Sequence, residues 1–250
     1  MTKPGAASAR NERSEPTLLA IDTAGSACSV AVGRGAAVLA AERQGLRHGH
    51  AEALLPMIDR VMQAAGLRSA TLQGIAVAVG PGGFTGIRVG LGAAHGIALA
   101  LPARLIGVIS FAAVAAVLAD GDDVPETVLV ALDSRRDDLY VQLFDRVTAE
   151  PRFAPAAVLP EALADYVAGS AGVVPLLIAG DRADTASALL RSHFDIEIAA
   201  ASAPDARGVL AAALRQIERD PAGSPARPLY LRPPDVTLPK QRDPVPATRR

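Results

Sequence analysis

The chain has one cysteine in 250 residues, a formal charge of -1 and no long apolar run, and each shortage removes a class of function. With Cys28 alone there is neither a disulfide framework nor a cysteine cluster for zinc, which suits a reducing compartment. A near-neutral charge argues against a protein that binds nucleic acid unaided, because such proteins carry a basic excess to neutralise phosphates. The longest uncharged apolar run, Leu105 to Ala119, is shorter than the roughly 20 residues of a membrane span. Residues 1–16 mix Lys3, Arg10 and Arg13 with Glu12 and Glu15 and hold no apolar core, so they read as a disordered leader rather than a signal peptide. The expectation is a soluble, cytoplasmic protein with no membrane contact.

What the chain does have is apolar content, 50% of its residues against 20% charged, enough for one large domain or two smaller ones. Three strand-like runs open it, "TLLAIDT" (17–23), "ACSVAVGR" (27–34) and "AAVLAAER" (36–43), joined by links so short that the strands must be antiparallel neighbours. Leu54, Leu55, Ile58, Val61, Met62 and Ala65 recur at helical spacing after His50, and Gly66 stands where a C-terminal cap belongs. "GIAVAVG" (74–80) reads as a strand buried on both faces, "RLIGVI" (104–109) as another, and Ser110 as the cap of a helix running to Ala119. The order βββαβαβα predicts an α/β protein with a mixed sheet and helices on its faces.

A second copy of this opening is visible. "LAIDTAGSACSVAV" (19–32) overlays "VALDSRRDDLYVQL" (130–143) without a gap, Asp22 on Asp133 and Thr23 on Ser134, which suggests an internal duplication. Further on, 175–181 reads as strand and turn, and 184–193 and 206–219 as helices. The expected organisation is a leader over 1–16, a first domain over 17–109, a second, degenerate copy over 110–220 and a proline-rich segment and tail over 221–250.

The stretch "GPGGFTGIRVGLGAAHGIALAL" (80–101) has the length of a buried helix but four glycines from Gly86 on, each costing about 1 kcal/mol of helix propensity relative to alanine. A phosphate loop of the Walker type needs a lysine that is missing here, and the glycine spacing of a dinucleotide fingerprint is absent too. The helix N-terminus alone could still attract an anion. Gly86, Gly90, Ala94 and Ala98 lie four apart, a small-residue stripe that lets another backbone come close. That backbone belongs either to the chain's own sheet or to a second protein. His50 lacks a helical metal partner, since position 54 is leucine. No nucleophile elbow is present. Asp22 and Asp133, each followed by a hydroxyl residue, either flank a magnesium–phosphate group between the halves or order their own turns.

"LLAIDTAGSACSVAV", "HAEALLPMI", "VAVGPGGFTGIRVGLGAAHGIAL" and "PLYLRPPD" together resemble the TsaB (YeaZ) family, over roughly residues 17–235. The resemblance implies the ASKHA architecture of two ribonuclease-H-like halves. It implies a non-catalytic subunit in the synthesis of N6-threonylcarbamoyladenosine at position 37 of tRNAs reading ANN codons. The partners it implies are TsaD, as a heterodimer, the ATPase TsaE in a ternary complex, and tRNA through that complex, with a homodimer when TsaD is absent. TsaD carries a His-x-x-x-His metal pair; the matching stretch here, "HAEAL", ends in Leu54, so neither a metal nor a catalytic residue is expected. The partner interface is assigned to His50, Leu54, Leu55, Ile58, Phe84, Thr85, Gly86, Arg88, Gly90 and Ala94. Weak binding of ATP or ADP with magnesium is assigned to Asp22, Thr23 and Asp133, the glycine motif for adenosine being reduced to Gly180. A small-molecule kinase and a metallopeptidase are the enzymatic rivals.

Overall fold

The computed structural model describes residues 15–46, 48–118, 124–172, 174–199, 203–220 and 225–232. Most of the leader and the tail beyond 232 therefore lie outside the described residues. Strands β1 (Thr17–Asp22), β2 (Ala27–Arg34) and β3 (Ala37–Gly45) form the antiparallel meander that their short links require, with Ile21 opposite Val30 and Ala31 opposite Ala41. Helix α1 (His50–Ala64) then crosses over so that β4 (Gly74–Gly80) lies parallel to β1, and α2 (Phe84–Ala100) does the same for β5 (Arg104–Ile109). The sheet order is β3-β2-β1-β4-β5. Pro56 lies within α1, and Gly66, at φ 65°, closes it: its N–H donates to the Gln63 carbonyl while Leu67 N–H donates to Met62.

After α3 (Ser110–Ala115) the pattern repeats. β6 (Thr127–Asp133) and β7 (Leu139–Asp145) pair antiparallel, β8 (Ala156–Val158) extends that edge, and α4 (Leu163–Ala171) leads into β9 (Leu176–Ala179). α5 (Ala183–Leu190) connects to β10 (Ile196–Ile198), giving the order β10-β9-β6-β7-β8. Read from its other edge, this is the first sheet again: β6 stands where β1 stands, flanked by one antiparallel and one parallel neighbour. The ungapped overlay of 19–32 on 130–143 thus lands strand on strand, and Asp22 and Asp133 each end the central strand of their half. The protein is α/β, two halves that share one ribonuclease-H-like strand order.

Three local expectations need correction. Ser110 is the first residue inside α3, not its cap; Ile109 takes the cap position, and the Ser110 hydroxyl is buried without a hydrogen-bond partner among the described groups. The helix stops at Ala115, short of Ala119, which lies outside the described residues. Finally α6 (Ala206–Arg219), assigned by sequence to the second domain, returns to the first sheet, where Val209, Leu210 and Ala213 join the core around Ile21 and Val32. The second sheet already has its own cover, α4 and α5 through Leu163, Val167 and Leu190, and α3 through Phe111 and Val114. The apolar face of α6 is therefore buried against the first sheet instead.

Cys28 is fully buried in β2, and burial, with Asp22 and Glu42 adding to it, pushes its thiol up to about 11. A thiolate is the reactive form, so the native protein is expected to leave a disulfide reagent such as DTNB unreduced and to titrate one thiol only on unfolding. Stoichiometric reaction of the native protein would contradict the placement of Cys28.

Candidate docking face and inter-lobe cavity

The glycine-rich segment is a seat for the turn that follows β1. Thr23 Oγ1 donates to the Gly86 carbonyl at 2.7 Å, and Gly83 N–H donates to the Ala24 carbonyl at 2.7 Å. A Cβ on Gly86 would overlap the Thr23 carbonyl oxygen, one on Gly82 the Ala24 carbonyl oxygen, and one on Gly90 would stand 2.5 Å from Thr23 Oγ1. The stripe of small residues therefore admits the chain's own backbone, and close packing against that turn offsets the lost helix propensity. Gly90 and Ala94, assigned to the partner interface, lie inside the chain, Gly90 facing Val77 and Ile21 and Ala94 fully buried, whereas Gly86 is half-buried. Leu54 and Ile58 go with them, since both lie in the first core.

The opposite side of the same helices is open. Of the residues assigned to the partner interface, Phe84, Thr85 and Arg88 are exposed, and so is Leu55, at 56%. His50 is half-buried at the start of α1, its Nε2 enclosed without a partner among the described groups. The exposed stripe of α2 continues through Gly92, His95 and Gly96 to Leu99, which is 91% exposed. Sequence reasoning missed these four, although the signal was available: they fall on the helical face opposite Ile87, Leu91 and Ala94. The Arg88 guanidinium lies 3.6 Å above the Phe84 ring centroid, a cation–π contact at the head of that stripe.

Beside this face is a cavity of about 880 Å³ between the halves. The first turns of α1 and α2 wall it on one side; Ser134, Arg135, Arg136 and Tyr140 close it on the other. Arg135, held at φ 63°, reaches back across to the Gly25 carbonyl at 3.3 Å. Burial, followed by Arg135 and His48, lowers the proton affinity of His50, which keeps its imidazole neutral at pH 7.

Each residue of the set assigned to nucleotide is engaged within the chain. Asp22 is 2% exposed, and its Oδ1 accepts the Ala24 N–H at 2.8 Å. Asp133 repeats that turn, its Oδ1 accepting the Arg135 N–H at 3.0 Å, but it also binds the Arg182 guanidinium at 2.8 Å. Burial opposes the Asp133 charge, yet the bonds to Arg182 and Arg135 outweigh it and hold the carboxyl below its ordinary value. The Thr23 hydroxyl is engaged by Gly86. Each carboxylate thus orders its own turn. Among the described residues no group of three or more His, Cys, Asp or Glu side chains is arranged to hold a metal ion, and no helix is long and apolar enough to cross a membrane.

Burial raises the Asp22 carboxyl to about 6 from an unfolded value near 3.8. The folded state thus binds the extra proton, so stability is full below about pH 4 and falls as pH rises through about 6. Asp22→Asn keeps the acceptor for Ala24 and removes the buried charge. It is expected to gain about 1–3 kcal/mol at pH 7.5 and to lose the slope between pH 4 and 6. Thermal melts at pH 4.5 and 7.5 check this; a variant less stable than wild type at pH 7.5 would contradict it.

The family model for TsaD, tRNA N6-adenosine threonylcarbamoyltransferase, matches residues 44–172. The chain is 36% identical over 135 residues to the tRNA threonylcarbamoyladenosine biosynthesis protein TsaB of Haemophilus influenzae, covering 54% of this chain and 55% of that protein. It is 35% identical to the TsaB of Escherichia coli over 52% and 55% respectively, so the match spans about half the length of these curated relatives. A crystal structure of a Pseudomonas aeruginosa protein described as similar to the peptidase YeaZ superposes with a TM-score of 0.71 at 30% identity, covering 87% of this chain and all of that one.

Proposed function

Because the chain belongs to the TsaB/YeaZ family, we propose that it is a non-catalytic platform subunit for N6-threonylcarbamoylation of adenosine 37 in tRNAs that read ANN codons. In this reading it docks TsaD as a heterodimer, TsaE joins the pair in the cytoplasm, and tRNA is met through the complex rather than by this chain alone. The observation that carries it is the outward stripe of α2, which runs from Phe84 through Arg88 and His95 to Leu99 and has an exposed large apolar side chain at each end. The match of residues 44–172 to the TsaD model supports a partner of the same fold, able to present matching helices across a pseudo-two-fold axis. The role asks for no metal or nucleotide held by this chain. The inward turn of Asp22 and the Asp133–Arg182 pair weigh against a small-molecule kinase.

Light scattering and calorimetry with TsaD from the same organism test the reading. A one-to-one complex, replacing a homodimer that forms when this chain is alone, is the expected result. Indifference to TsaD at micromolar concentrations of both proteins would overturn it.

A further inference from the structure

The C-terminal segment 225–232 runs as a strap from the first half to the second. It begins against β5, where a Cβ on Gly107 would stand 2.7 Å from the Pro225 carbonyl oxygen. Leu229 N–H then donates to the Val79 carbonyl at the end of β4, at 2.7 Å. Tyr230 lays its ring 5.5 Å from that of Phe84, centroid to centroid, and accepts a hydrogen bond from Arg88 Nε at 3.3 Å. Arg232 ends the path in an ion pair of 2.5 Å with Asp138, a carboxylate buried in the second half whose other oxygen accepts from Ser134 Oγ at 2.8 Å. The strap is tied at Leu229 and at Arg232, and Tyr230 stands exposed between these two ties.

We propose that the strap is part of the docking surface: its two ties present Tyr230 as the continuation of the α2 stripe, so that TsaD meets a Tyr230–Phe84–Arg88 cluster and not the helices alone. The inference rests on the docking role proposed above and extends it to residues outside α1 and α2. Tyrosine and arginine stacked on a second aromatic ring have the composition of an interface anchor, with large area and few torsions to freeze. The cluster stands at the head of the helix face that ends in Leu99, and its cation is Arg88, since Arg232 is already paired with Asp138. The surface it fits is an apolar knob with a carboxylate within reach of Arg88.

The test compares Tyr230→Ala, Arg232→Ala, Arg232→Lys and Leu99→Glu by calorimetry against TsaD, with hydrogen exchange on this protein alone. Tyr230→Ala is expected to weaken binding at least about 10-fold with an unchanged melting temperature. Arg232→Ala is expected to speed exchange of the Leu229 amide in the free protein and to weaken binding, with Arg232→Lys restoring both in part. If Leu99→Glu abolishes binding while Tyr230→Ala binds like wild type, the strap lies outside the surface and this inference fails alone. If neither variant changes the affinity, the docking face itself is misplaced and both readings fail. Exchange of Leu229 unaltered in Arg232→Ala would show that the Asp138 tie does not hold the strap.

Discussion

Leu99→Glu is expected to lower the affinity for TsaD by two to three orders of magnitude while leaving the fold of this chain intact. Leu99 is 91% exposed near the end of α2, so the monomer loses almost no packing when it is replaced. A negative charge in the last turn opposes the helix dipole, but at an exposed site that costs only about 0.3–1 kcal/mol. In the complex the same carboxylate is enclosed without a partner, a loss of about 3–4 kcal/mol, which is a factor of roughly 10² to 10³ in the dissociation constant. Calorimetric titration beside a thermal melt separates the two effects. A variant that melts like wild type and binds like wild type would remove the outward stripe of α2 from the interface.

Gly86→Ala is expected to do the reverse, breaking the fold rather than the complex. Its new methyl group would overlap the Thr23 carbonyl oxygen, and the turn carrying that oxygen cannot yield easily. The turn is fixed by Thr23 Oγ1 on Gly86, by Ala24 N–H on Asp22 and by Gly83 N–H on Ala24. Overpacking against a side chain commonly costs about 1–3 kcal/mol because the side chain can move. Against a tethered backbone the expected cost is at least about 3 kcal/mol, a large share of the roughly 5–15 kcal/mol that holds a domain together. Gly92→Ala, with open space around its Cβ position, is the internal control. It is expected to gain about 0.5–1 kcal/mol from helix propensity alone. Urea unfolding of the two variants should therefore shift in opposite directions, and a Gly86→Ala protein as stable as wild type would refute the seat.

Gly86 and Gly92 also mark the boundary between what local sequence specifies and what only the fold decides. Strand and helix order, the antiparallel opening and the duplication were legible because they follow from local periodicity and link length, and Asp22 and Asp133 do end equivalent strands. The glycine-rich helix was legible as the key element. Its orientation was not, because glycine reports that something comes close without saying what. Only the position of the Thr23–Ala24 turn decides that Gly86 and Gly90 face inward and that Gly92 and Gly96 face out. Leu54, Leu55 and Ile58 share one difficulty: adjacent apolar residues at helical spacing lie near the boundary of a face, and the sheet beneath takes Leu54 and Ile58 while leaving Leu55 outside. The return of α6 to the first sheet depends on residues far apart in the chain. So does the tie between Arg232 and Asp138, residues that nothing in the local sequence joins.

In the proposed role this chain enables another subunit's chemistry without performing it. The most direct measurement is reconstitution: TsaD and TsaE from the same organism, tRNA reading ANN codons and threonylcarbamoyl-AMP, with wild-type protein, with Leu99→Glu, and without either. The expected result is threonylcarbamoylated tRNA with the wild-type chain, little with Leu99→Glu, and none from the chain alone. Modified tRNA produced by this chain without TsaD, or equal yields whether it is present or absent, would contradict the account.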